Sequence, residues 1–98
     1  MVAWYKCIIS YDGTNYYGWQ YQPERCTVAG MLQNRFHSLF KKSIKVTGAS
    51  RTDASVHAYG QVAVFSTDLN IPPSKLMKVW NNALPNDIVI RDLILLPE

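Results

Sequence analysis

Arg51, Thr52, Asp53 and His57 fall close together in the run Gly48-Ala49-Ser50-Arg51-Thr52-Asp53-Ala54-Ser55-Val56-His57-Ala58. A carboxylate stands there between a guanidinium and an imidazole. An aspartate with a reference pKa of about 3.9 is ionised at neutral pH and can act as nucleophile, base or electrostatic anchor. Arg51, two residues earlier, can keep it anionic, hold a phosphate or wedge into a base stack. His57, four residues later, can move protons. The same residues also suit a plain Asx-turn, with Asp53 capping its own loop and Arg51 as its ion-pair partner. Residue types alone leave both readings open.

Short β-branched runs without helical period flank this polar stretch, at residues 44–47 and 61–67, and read as two strands. A loop between strands presents side chains from a rigid scaffold. Residues 4–11 alternate as a further strand, with Tyr5, Cys7, Ile9 and Tyr11 on one face. Thr27 is the expected N-cap of a first helix whose apolar positions are Val28, Met31, Leu32, Phe36, Leu39 and Phe40. Lys41 and Lys42 are expected in its last turn, and Gly30 is a blemish costing roughly 1 kcal/mol against alanine. Pro72-Pro73-Ser74 opens a second helix, Pro85-Asn86-Asp87 closes it, and residues 88–96 form a last strand interrupted by Arg91-Asp92. The order β-α-β-β-α-β predicts an α+β, ferredoxin-like split β-α-β fold: a four-stranded antiparallel sheet with two helices on one face. Its other face would keep apolar area wet unless RNA, a second domain or another subunit covers it.

A second constellation runs from Tyr11 to Gln22, where planar rings interleave with amides and glycines. Such side chains stack on bases and read their edges. Tyr11 and Trp19 read as core; Tyr16, Tyr17, Gln20 and Gln22 are candidates for RNA contact. The net charge is +3, and it is unevenly spread. Residues 1–52 hold seven Lys and Arg, including Arg25, Lys41 and Lys42, against two acids. That half suits a polyphosphate backbone, or simply a solvated helix face. Cys7 and Cys26 lie in unlike settings, without disulfide or metal-ligand spacing. No run reaches transmembrane length and no secretory signal is visible, so a cytoplasmic protein is expected.

YDGTNYYGWQ, then SRTDASVHAYGQVAVF, then NNALPNDI resemble, in order and spacing, the tRNA pseudouridine synthase A family. The resemblance spans most of the chain, and its RTD-A-x-VHA block is highly specific. It implies an RNA-modifying isomerase, without cofactor or metal, that acts on uridine in the tRNA anticodon arm. It makes Asp53 the essential catalytic residue, with Arg51 intruding where the target base leaves the stack, and Thr52 and His57 supporting the loop. It also implies a homodimer of two-domain subunits with the cleft between domains. On that footing residues 1–98 are the N-terminal catalytic-aspartate half, the second domain is missing from the chain, and the half alone is expected to be inactive. Ser55 stands where the family usually has glycine, which strains the loop if φ must be positive. A non-catalytic ferredoxin-like RNA-binding module is the alternative, on a faint aromatic-strand echo at residues 59–65.

Overall fold

The computed structural model describes residues 2–49 and 57–97. Four strands and two helices follow the expected order: β1 (Ala3–Tyr11), α1 (Val28–Phe40), β2 (Thr47–Gly48), β3 (Ala58–Thr67), α2 (Pro73–Ala83) and β4 (Ile88–Leu95), with a 3-10 turn at Gly13–Asn15. The sheet order β2-β3-β1-β4 is antiparallel throughout. This is the split β-α-β arrangement. Tyr5, Cys7, Ile9 and Tyr11 of β1 are buried on the face that also carries Ala63 and Phe65 of β3. Phe36 of α1, Phe65 of β3 and Trp80 of α2 meet edge-on at ring separations of 5.2–6.1 Å, the geometry that ring quadrupoles favour. The buried Trp80 indole donates to the Leu32 carbonyl at 3.1 Å, so its one polar group is satisfied while it ties α2 to α1.

The helix termini follow local chemistry. Thr27 Oγ1 accepts from Gly30 N–H at 3.1 Å, as an N-cap should. A Cβ on Gly30 would stand 2.9 Å from that oxygen and 3.4 Å from the Tyr21 ring. The interior glycine therefore serves the cap and the aromatic loop folded over it. Lys41 does not extend the last turn: it is the C-cap, left-handed at φ 57°, and Lys42 lies beyond the helix. Pro73 opens α2, where a missing N–H costs nothing.

Two strands depart from expectation. β2 is shorter than residues 44–47 and begins only at Thr47; on the side away from β3, Val46 N–H donates to Gln33 Oε1 of α1 at 3.0 Å. Ile44 and Val46 still bury their side chains. In β4 the buried positions run Ile88, Ile90, then Leu93, a spacing of three that breaks strand alternation. A bulge explains it: Ile9 pairs with Ile90 but Ile8 with Asp92, leaving Arg91 as the extra residue. Asn81 of α2 supports the bulge by accepting from Ile90 N–H and donating to Ile90 C=O, at 2.8 and 2.9 Å. The opposite sheet face carries exposed Trp4, Val62, Val89 and Ile94, the wet apolar surface expected of this architecture.

Candidate functional site

Arg51, Thr52, Asp53 and Ser55 lie outside the described residues; His57 and the chain up to Ala49 do not. Both attachment points of this stretch are tied to the fold by hydrogen bonds. On the N-terminal side Ala49 N–H donates to Val62 C=O at 2.8 Å. Gly48 lies so close to its neighbours that a Cβ there would fall 2.5 Å from Trp19 Nε1 and 2.9 Å from Gln61 Nε2. Only glycine fits against that buried indole. On the C-terminal side His57 Nδ1 lies 2.9 Å from Gly13 N, within the 3-10 turn that Asp12 caps.

A cavity of about 390 Å³ opens at that second attachment. It is lined by Asp12 at the end of β1, His57 and Tyr59 at the start of β3, Asn86 and Asp87 in the turn before β4, and Arg91 in the bulge. Hydrogen bonds join these distant segments. Asp12 N–H donates to Asp87 C=O at 3.0 Å, and Tyr16 O–H donates to Asp87 Oδ1 at 2.6 Å. Arg91 Nε donates to Ser10 Oγ at 3.0 Å, and Ser10 Oγ in turn donates to Tyr59 C=O. The Thr14 hydroxyl and amide hold the Asp12 carboxyl below the usual carboxylate range. Among the described residues, no group of three His, Cys, Asp or Glu side chains is arranged to hold a metal ion. Three sequence blocks, at residues 11–13, 57–59 and 86–87, thus meet at one end of the sheet.

Residues 7–94 match the protein family described as tRNA pseudouridine synthase. The chain belongs to that family. It is 51% identical over 93 residues to tRNA pseudouridine synthase A of Ruminiclostridium cellulolyticum, covering 95% of this chain and 38% of that protein. Identity to tRNA pseudouridine synthase A of a Geobacillus species is 49% over 89 residues, or 90% of this chain and 36% of the relative. For the Phytoplasma mali protein of the same name it is 47% over 93 residues, 94% and 38%. The chain therefore spans less than two fifths of the length of these curated relatives.

The candidate RNA-contacting residues fall in different places on this family's fold. Tyr17 is half exposed, with the Arg25 guanidinium 4.7 Å above its ring, a cation–π contact that presents both groups together. Gln22 donates to the Tyr17 carbonyl at 3.3 Å. Gln20 and the exposed Tyr21 line a second cavity, of about 480 Å³, with Lys45 and Gly48. Tyr16 corrects the expectation placed on it. It is only 4% exposed, and burial followed by the Asp87 hydrogen bond pushes its phenol well above the ordinary tyrosine range; a ring so enclosed has no face for a base. Lys41 and Lys42 sit at the far end of α1, roughly 20 Å along a thirteen-residue helix. Lys42 there pairs with Asp68 at 2.9 Å. The structure does not bring these two lysines to the aromatic loop.

Sequence reasoning passed over Asp12, Tyr59, Asp87 and Arg91 as site residues. Tyr59 is 95% exposed at the cavity rim. The signal available for Asp12 and Asp87 was the pair of turns, Asp12-Gly13 and Asn86-Asp87, inside two of the three motif blocks; Arg91 falls outside all three. The RNA-module alternative needs stacking positions on the open sheet face. Gln61, Ala63 and Phe65 are instead buried, on the face where Phe65 meets Phe36 and Trp80 of the helices. Among the described residues, no helix is long and apolar enough to cross a membrane.

Proposed function

We propose that this chain is the catalytic-aspartate part of a tRNA pseudouridine synthase acting on uridine in the anticodon stem-loop. Asp53 is its essential carboxylate, and Arg51 enters the stack as the target base leaves. The observation that carries this reading is the meeting of three separated motif blocks around one cavity, at the sheet end where residues 50–56 rejoin the fold. Membership of the tRNA pseudouridine synthase family supports the reaction class.

The reaction breaks the N1–C1′ bond of uridine, turns the freed uracil, and forms C5–C1′. A proton leaves C5 and one is taken up at N1, so the change is redox-neutral and asks for no cofactor. A carboxylate can attack C1′ or the ring C6, or remove a proton from the sugar. Extruding the base costs about a few kcal/mol, which a wedge and a pocket must supply. Tyr17, Gln20, Gln22 and Arg25 contribute stacking, edge reading and a salt-sensitive phosphate contact. A second domain, matching the extra length of the relatives, completes the cleft, and the enzyme works as a cytoplasmic homodimer. Residues 1–98 by themselves then form no pseudouridine.

The test is full-length enzyme with a tRNA transcript, comparing wild type and Asp53→Asn. Loss of pseudouridine with tRNA affinity retained is the expected result; product formation by the variant at the wild-type rate overturns the assignment.

A further inference from the structure

We propose that His57 is a positioning residue whose neutral imidazole, accepting from Gly13 N–H, fastens the C-terminal end of the Asp53-bearing stretch to the Asp12–Gly13 turn. The inference rests on the proposed role of Asp53 and adds a state requirement to it. The donor in the 2.9 Å contact is a backbone amide, and an amide can only donate. Nδ1 must therefore carry its lone pair, which places the proton of the neutral ring on Nε2.

The same Nδ1 lies 3.1 Å from Asp12 Oδ1. That contact needs a proton on Nδ1, so it and the amide bond cannot both be made. Asp12 Oδ1 already accepts from Thr14 N–H at 3.0 Å and from Thr14 O–H at 2.6 Å, and its carboxylate needs nothing from a neutral ring. Protonating His57 reverses the preference. Gly13 N–H then faces an N–H, and the imidazolium turns to the carboxylate. Residue 57 is the point at which the reactive stretch rejoins β3, so this exchange displaces its anchor.

The charged and titratable groups that share the cavity with His57 come from every element around it: Tyr11 at the end of β1 and Asp12 after it, Tyr59 on β3, Asp87 before β4 and Arg91 on β4. None of them changes in a His57→Asn variant, whose Oδ1 replaces Nδ1 as an acceptor that does not titrate. Asn thus separates the hydrogen bond from the charge.

The experiment is pseudouridine formation by full-length wild type, His57→Ala, His57→Asn and Asp53→Asn across a pH series. His57→Ala should lower kcat roughly 10- to 100-fold with KM unchanged, the scale of a small misplacement of a reacting group. His57→Asn should restore most of that loss. Wild-type kcat should fall as the ring gains its second proton, and His57→Asn should lack this acid limb. Nitrogen-15 imidazole shifts of the 98-residue chain should show Nδ1 bare at neutral pH, a readout independent of turnover. A proton on Nδ1, an unchanged kcat in His57→Ala, or the same acid limb in His57→Asn overturns the proposal. Full activity of Asp53→Asn instead overturns the catalytic reading and leaves the hydrogen-bond assignment to the nitrogen shifts.

Discussion

Tyr16 donates its hydroxyl to Asp87 Oδ1 at 2.6 Å across 71 positions of sequence, while the Asp12 amide donates to the Asp87 carbonyl beside it. One aspartate thus pins the aromatic loop to the turn that starts β4. Tyr16→Phe would leave the half-buried carboxylate without its hydroxyl donor. The expected cost is about 1–3 kcal/mol in urea unfolding of the chain. Loss of less than a few tenths of that scale would show that water replaces the phenol.

The same tyrosine carries a pH dependence. Its folded-state ionisation is raised, by burial first and then by Asp87. A raised group stabilises the fold below its unfolded value and loses that contribution as pH climbs towards the folded one. Stability from Tyr16 is therefore present at neutral pH and declines above about pH 10. Subtracting the alkaline absorbance titration of Tyr16→Phe from that of wild type should reveal a phenol ionising above the ordinary range.

Gly48→Ala puts a methyl group into the space of the Trp19 indole, which would lie 2.5 Å from the new Cβ. Overpacking of this kind costs roughly 1–3 kcal/mol. The shift should appear in unfolding midpoint and in tryptophan fluorescence together. On the proposed role of Asp53, the full-length enzyme should lose pseudouridine formation more than the stability change explains, since Gly48 lies just before the stretch that carries it.

Asn81→Ala removes both side-chain bonds to Ile90 and exposes the bulge to register slippage. A destabilisation of about 2 kcal/mol is expected. Amide exchange should accelerate along β4 before it does in β1.

Arg25→Ala should weaken tRNA binding by the full-length enzyme and lower the slope of log affinity against log salt by about 1. Lys42→Ala should do much less, because its ammonium is at the other end of α1 and pairs with Asp68.

Cys26 is exposed, whereas Cys7 is buried and its thiol is pushed up to about 12 by desolvation. A thiol reagent at neutral pH should label Cys26 alone, and Cys7 only on unfolding.

Period and punctuation in the sequence were enough for the element order. Alternation in residues 4–11, the Thr27 cap, the Pro72-Pro73 start and the turn at Pro85-Asn86-Asp87 act through neighbours, and local sterics decide them. The family was equally legible, since its blocks are contiguous strings. Three features escaped. Gln33 takes the Val46 amide, tying the segment before β2 to α1; the β4 bulge shifts Arg91 out of the alternation; and Tyr16, although set among exposed aromatics, turns inward to Asp87. Each depends on a partner thirteen or more residues away, and no local pattern encodes such a partner. The residue types of the run from Arg51 to His57 were fixed by the chain itself. Their surroundings, an indole against Gly48 and an amide against His57, arise only when strands from both ends of the sequence lie side by side, because hydrogen bonds and close contacts act over a few ångströms whatever the distance along the chain.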